Sequence, residues 1–404
     1  MRLPPSGTTV QTYSNAIKAG NRTHVRLTFP LKQIAVEDED IDATIGITIN
    51  DIFNAEEDLR FGRVLCKKLT AGIIMSDNTR DISWGSRFRV EFGVEISGTT
   101  RYVTFGWFRG DQVKRNYDDD TVTVVAYDDA AKFDAEITND FTNALTFPIK
   151  FPALYSAICQ YTGVKMKFGG IPADIPDGCR EEAYTKADLK KFHTFRDILE
   201  EMSGAFGYYI RINSDGACEW AWFNDATESL SLAAEDLFGV NIDAVEEHYP
   251  GTTWNEASAH TWDWYKNRGI TWDDFKEYQI DNRFSEIEVE LIDTDTDLTL
   301  GHNIVFNTPK TYIISDNLFT RNTFSDYWPD MAEAILDKLD EFGAWPQMTV
   351  ECAGNWLVES GDIISVVTKI GTLKMPVFYR TLTWNAAPTD MYEATGVTVR
   401  KMNH

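Results

Sequence analysis

No run of apolar residues in this 404-residue chain is long enough to cross a bilayer, so stable membrane insertion is not expected. The opening stretch, MRLPPSGTTVQTYSNAIKAGN, lacks the apolar centre of a secretory leader. Cysteine is scarce. Cys66, Cys159, Cys179, Cys218 and Cys352 are odd in number, far apart and free of any CxxC spacing. Neither a zinc ribbon nor a dithiol redox motif is indicated, and reduced, buried thiols fit assembly in a cytoplasm. Positive charge is also short, with 38 Lys and Arg against 63 Asp and Glu and a formal net charge of −25. Gripping nucleic acid without regard to sequence needs clustered bases that displace counterions, and recognition of a particular sequence is not indicated either. The acidic balance reads plainly as a solvated surface that resists aggregation. Its functional alternative is the wall of a channel along which DNA slides without being held.

Catalytic signatures are missing as well. The six histidines, His24, His193, His248, His260, His302 and His404, form no HExxH pair. There is no GxSxG elbow and no GxxxxGK(S/T) phosphate cradle. Asp293-Thr294-Asp295-Thr296-Asp297 starts like an EF-hand loop, but Leu298 stands where the turn needs glycine and Ile304 where it needs a bidentate glutamate. The acid runs Glu37–Asp40 and Asp118–Asp120 read as solvated turns, because consecutive side chains on a strand point to opposite faces. No catalytic residue, metal ligand or cofactor is nominated, and the chain is not expected to be an enzyme.

What is abundant is aromatic area: 12 Trp, 16 Tyr and 24 Phe, 13% of the chain. Such content favours β-rich architecture and large contact surfaces. Residues 1–140 read as strands, with alternation over 24–29, 43–49, 88–96, 101–108 and 121–127 bounded by Gly and Asp turns. The texture changes over 141–225. A helix is expected over 151–161, with Pro152 in its first turn, and a second one behind Thr194, where Phe195, Ile198, Leu199 and Met202 make a helical stripe. A hairpin follows, turning at Asn213-Ser214-Asp215-Gly216. Residues 226–282 form a Trp-rich connecting region in which Thr-Trp-Asn/Asp recurs at Trp254, Trp262 and Trp272. With Trp264 these are the candidate interface residues: either turns whose rings pack on neighbouring domains, or a docking surface for a partner subunit. Strands return over 283–404 at 285–292, 312–314, 348–352, 363–368, 376–384 and 394–399, with one inserted helix over 324–342.

Several phrases, taken in order, resemble the hub family of phage tails, which includes the baseplate hub of contractile tails and the N-terminal part of siphophage tail-associated proteins. They are Gly85-Ser86-Arg87-Phe88-Arg89-Val90, Phe105-Gly106-Trp107-Phe108 and Val122–Asp128; then Leu145–Ile149 with the helix after it and Gly163-Val164; then Thr194–Leu199 through Gly207 to the Ser214-Asp215-Gly216 turn. Ile313–Asn317 follows, with Leu318 in place of the usual proline, and finally Glu359-Ser360-Gly361-Asp362-Ile363-Ile364 and Met375-Pro376-Val377. Each phrase has low specificity; the ordered series spans nearly the whole chain.

The resemblance implies a mainly β fold in which two tail-tube-like β-barrels, 1–140 and 283–404, are separated by a smaller α+β domain. It implies a homotrimer that presents a pseudo-sixfold ring to a hexameric tail tube or distal tail protein, with a spike or tail-fibre protein and the tape-measure protein as further partners. Such a protein belongs to the virion tail and is assembled in the host cytoplasm. The Trp region departs from the family pattern and is expected to contact a neighbouring subunit or a spike. No peptidase, lysozyme-like or receptor-binding part fits after Val399, which favours a plain structural hub. A glycan-binding tail adhesin, with Trp262, Trp264 and Trp272 stacking on sugars, and a virion-associated cell-wall hydrolase are the alternatives.

Overall fold

The computed structural model describes residues 1–52, 61–181, 183–225, 230–243, 287–291, 310–314, 335, 338, 347–368, 371–385 and 387–394. The chain opens with a helix that strand-like reading of this region does not anticipate, α1 (Val10–Lys18). Thr9 caps it by accepting from the Thr12 amide at 3.1 Å, and the spacing of Tyr13, Ala16 and Ile17 buries one face. Seven strands follow: β1 (Thr23–Phe29), β2 (Ile34–Val36), β3 (Ile47–Ile52), β4 (Lys68–Ile74), β5 (Arg87–Ile96), β6 (Thr99–Asn116) and β7 (Thr121–Tyr127). In β1 and β7 the inward positions alternate, as half-buried strands require. The expected strand over 43–49 begins only at Ile47. Asp42 accepts from the Thr44 and Ile45 amides at 2.9 and 2.8 Å, and Gly46 turns with φ +63. β5 and β6 are joined by Ser97 and Gly98, both at positive φ, a two-residue turn whose twist suits a hairpin.

The middle of the chain is the α+β module. Its helices are α2 (Asn139–Ala144), α3 (Phe151–Thr162), α4 (Asp177–Glu181), α5 (Lys186–Leu189) and α6 (Phe195–Gly204). Its strands are β8 (Ile149–Lys150), β9 (Lys165–Met166), β10 (Ala183–Tyr184), β11 (Tyr209–Ile212) and β12 (Ala217–Ala221). α3 carries Pro152 in its first turn and stops at Gly163, which takes the left-handed conformation and lets the Val164 amide reach Cys159 O at 2.9 Å. α6 begins with a capping box: Thr194 Oγ1 accepts from the Asp197 amide, and Asp197 Oδ2 accepts from the Thr194 amide at 2.7 Å. Thr194→Ala is expected to destabilise the protein by about 1 kcal/mol, read as a lower urea midpoint; an unchanged midpoint would show that the cap does not matter. The β11–β12 hairpin turns at Gly216 with φ +74, and Asn213 Oδ1 accepts from the Asp215 and Ala217 amides at 3.0 Å each.

Beyond it come β13 (Asn224–Asp225), β14 (Ser231–Leu232), β15 (Leu237–Asp243), β16 (Ile287–Leu291), β17 (Lys310–Ile314), β18 (Gln347–Ala353), β19 (Asp362–Thr368), β20 (Gly371–Pro376), β21 (Tyr379–Asn385) and β22 (Ala387–Ala394). The expected strand over 376–384 is two strands, because Val377 and Phe378 leave β20 and turn into β21. Of the expected helix over 324–342, only Ile335 and Lys338 are described; both are helical and buried. Residues 395–399 of the expected last strand lie outside the described residues.

The largest sheet is antiparallel throughout and has eleven strands in the order β15-β18-β22-β21-β3-β4-β7-β6-β5-β1-β2. Its central junction joins distant parts of the chain: β21 pairs with β3, setting Trp384 against Ile47, Leu382 against Ile49 and Arg380 against Asp51. One core lies under this sheet, where α1 and β1–β7 meet Trp356, Leu357, Leu382 and Trp384. A second joins α3, α6, β11 and β12 to Ile363, Ile364, Val366, Met375 and Phe378. The fold is therefore mainly β with an α+β module, as the sequence implied.

Candidate assembly interface

The Glu359-Ser360-Gly361-Asp362 turn is a common phrase in β proteins, yet here it stands where the two cores meet. The Glu359 amide donates to Asp362 Oδ2 at 2.8 Å and the Asp362 amide to Glu359 O at 3.0 Å, with Gly361 at φ +89. The Glu359 carboxylate is buried and faces the Arg2 guanidinium at 3.4 Å, the Arg211 guanidinium at 3.7 Å and the Met1 ammonium at 3.3 Å. Burial alone would raise its pKa; Arg2 and Arg211 outweigh that and hold it well below the usual carboxylate range. Arg2 also donates to Phe105 O at 3.2 Å, Trp356 O at 3.0 Å and Val358 O at 2.7 Å, and lies 3.9 Å from the Phe105 ring centre. Arg380, fully buried, donates to Val358 O and to Asn355 O. Arg211 binds Glu219 at 2.8 Å and Ser360 O at 3.3 Å, while Ser360 Oγ donates to Asp51 O at 2.9 Å. One short segment, 355–362, thus ties β3, β6, β11 and β21 together. Glu219 and Glu359 are ion-paired, the state of structural carboxylates rather than of proton carriers.

A second tie lies at the end of β7. Asp128 Oδ1 accepts from the Ala130 amide at 3.0 Å, and Lys67 Nζ, 4.0 Å from Asp128 Oδ2, donates to Ile212 O at 2.8 Å. Burial pushes the Asp128 carboxyl up to about 6, with Lys67 opposing. The acid run Glu37–Asp40 differs from a merely solvated turn. His24 Nδ1 lies 2.6 Å from Asp38 Oδ2, and Arg26 pairs with Glu37 at 2.8 Å, so the run is fastened to β1. Among the described residues no group of three or more His, Cys, Asp and Glu is placed to hold a metal ion, and no helix is long and apolar enough to cross a membrane. Cys159, Cys179, Cys218 and Cys352 are buried and Cys66 half-buried.

Among the described residues, exposed apolar side chains come together at two places, while Leu3 and Phe238 are exposed elsewhere. At one end of the large sheet three turns are bound to one another: Lys32 Nζ donates to Ser83 Oγ at 3.0 Å, Arg115 to Ile82 O at 2.7 Å, and the Met75 amide to Asp120 O at 2.6 Å. These turns expose Leu31, Trp84 and Tyr117. The second place is an open groove of ≈ 890 Å³ on the α+β module, bordered by Lys165, Met166, Phe168, Gly169 and Arg180, with Phe168 fully exposed. Exposed apolar patches of this kind mark contact surfaces in proteins that assemble. The predicted interface residues Trp254, Trp262, Trp264 and Trp272 lie outside the described residues. Sequence reasoning did not single out Arg2, Arg211 or Arg380; for Arg380 a signal was present, since it shares the inward face of β21 with Leu382 and Trp384.

No family model matches this chain and no curated protein matches it in sequence. Its structure is similar to that of a 43 kDa tail protein of prophage MuSo2 from Shewanella oneidensis, at 10% identity and a TM-score of 0.50, over 92% of this chain and 98% of that one. A prophage tail protein from Listeria monocytogenes EGD-e shows 11% identity and a TM-score of 0.47 over 93% and 95% of the two chains. A tail protein from Neisseria meningitidis MC58 shows 12% and 0.45 over 93% and 98%. The MuSo2 likeness establishes a shared fold along nearly the full length of both chains.

Proposed function

We propose that this chain is a structural, non-enzymatic hub of a phage tail tip or baseplate. The observation that carries the reading is the shared fold with the MuSo2 tail protein over almost all of both chains. The buried ion network is in keeping with a structural role, since Glu219 and Glu359 are held by arginines that join separate strands. In this reading three copies form a ring, each supplying two tube-like β regions, 1–140 and 283–404, so that six units meet a hexameric tail tube or distal tail protein. A ring of identical chains needs a heterologous contact that closes on itself. A spike or tail-fibre protein and the tape-measure protein occupy the axis. Trp254, Trp262, Trp264 and Trp272 face a neighbouring subunit or the spike, and the acidic chain lets genome or cargo pass. The protein resides in the virion tail after assembly in the host cytoplasm.

The mass of the purified protein by light scattering over a range of concentrations tests the reading. The expected result is three chains, or a single chain that becomes three on adding tail-tube or spike protein. A strict monomer that ignores both would overturn it.

A further inference from the structure

Two features with opposite charge and matching apolar content occur on separate parts of this chain. The first is the tip between β6 and β7, Tyr117-Asp118-Asp119-Asp120: four exposed residues, one aromatic and three acidic, with Tyr117 74% exposed. The second is the groove on the α+β module. In a chain of net charge −25 its border carries Lys165, Lys167 and Arg180 against Asp215 alone. Lys167 is matched by Glu219 at 2.7 Å. The hydrogen bonds of Arg180 go to the carbonyls of Ile175 and Pro172, which leave its charge unneutralised. Among the described residues the Lys165 ammonium has no hydrogen-bond or ion-pair partner, its backbone alone being paired with β12, so two positive charges stand open beside the fully exposed ring of Phe168 and the exposed Met166. Gly169 and Gly170 turn with positive φ and have open space where a Cβ would be, which leaves room next to that ring.

We propose that the Tyr117–Asp120 tip of one copy docks into this groove on a neighbouring copy, Tyr117 against Phe168 and the aspartates against Lys165 and Arg180. The proposal rests on the hub reading, in which copies associate, and names a contact for it. The tip does not reach the groove of its own chain. The groove adjoins Asn213, next to Ile212, which Lys67 ties to the Tyr127 end of β7. The tip lies at the other end of β7, six residues away, which is roughly 20 Å of extended strand. A patch that fits a different patch on an identical chain makes a heterologous contact, the kind a closed ring requires; repetition closes a ring where the rotation between copies closes and runs on as an open filament where it does not. Charge complementarity sets the orientation, and the aromatic pair supplies buried area.

Charge reversal with rescue tests it on the full chain. Asp118→Lys with Asp119→Lys is expected to weaken self-association by about tenfold or more, as is Lys165→Glu alone, because each sets like charges against one another. Carrying all three changes in one chain restores opposite signs and is expected to recover most of the loss, which damage to folding would not do. Independently, Tyr117→Cys and Phe168→Cys proteins, mixed and treated with a short bismaleimide, are expected to yield a 117–168 cross-link between chains that neither protein gives by itself. Three-chain mass with no such cross-link and no effect of tip reversal would overturn this contact while leaving the hub reading in place. A protein that stays monomeric with tube and spike proteins present would overturn both.

Discussion

Glu359→Ala is expected to destabilise the protein by about 3–5 kcal/mol, the range for breaking a buried ion pair from one side. The loss comes less from the missing attraction than from what stays behind. Arg2 and Arg211 are both held in the interior and lower each other's comfort there; burial already depresses the Arg2 pKa, and Glu359 is the first group that opposes it. Without the carboxylate, two guanidinium groups face each other across the seam between the cores. Arg2 keeps its carbonyl partners at Phe105, Trp356 and Val358, so the charge cannot leave without breaking those bonds too. Glu359→Gln retains the shape and some hydrogen bonding and is expected to fall between wild type and alanine. Urea unfolding followed by tryptophan fluorescence checks the series; a midpoint change equivalent to less than about 1 kcal/mol for alanine would show that water reaches the seam and screens it. The pH dependence has a definite sign. Since the folded-state pKa of Glu359 is depressed, its stabilising contribution is present above the ordinary glutamate value of about 4.5 and is lost as pH falls below it. The alanine variant is expected to lack that part of the acid limb.

The same seam shows what periodicity conveys and what it does not. α3 and α6 were legible because their start signals are local: Pro152 in a first turn, Thr194 with Asp197 three residues on. The β11–β12 hairpin was legible for the same reason, its turn being written in four consecutive residues. α1 was missed because its polar positions, Gln11, Thr12, Ser14 and Asn15, dilute an apolar stripe that is only a few residues long. The strand expected over 43–49 failed at Asp42, whose side chain competes for backbone amides and starts a turn instead. The pairing of β21 with β3 had no local signature, since alternation marks a strand and its buried face but not its partner. Arg380 on an apolar face announced that a buried partner must exist, yet that partner is a set of carbonyls on the 355–358 loop, which side-chain patterns do not encode. The candidate groove was hidden for a related reason: Lys165, Phe168 and Arg180 converge only after β9 joins β12.

Asp128→Asn is expected to change the shape of the stability profile in the opposite direction from Glu359→Ala. Burial pushes the Asp128 carboxyl up to about 6 in the folded protein, above the ordinary aspartate value of 3.8, so the folded form holds the proton more tightly than the unfolded chain does. By linkage, the Asp128 contribution to wild-type stability falls as pH rises from about 4 to about 6 and then levels off, by about 3 kcal/mol for a shift of this size. Asparagine resembles the protonated acid and carries no such slope. Whatever fixed offset it introduces, its stability relative to wild type is expected to rise by about 3 kcal/mol across that window and to stay constant above it. The comparison isolates Asp128 because the other acids of the seam titrate in both proteins. Its physical cause is the geometry at the end of β7: Oδ1 is satisfied by the Ala130 amide, whereas Oδ2 is buried with Lys67 only as close as 4.0 Å and that lysine already donating to Ile212 O. A difference between the two proteins that does not vary with pH would mean that Lys67 swings onto Asp128 in solution and neutralises it. In that case the tie from Lys67 to Ile212 would be the weaker of the two, and Lys67→Met would leave the α+β module attached as firmly as before.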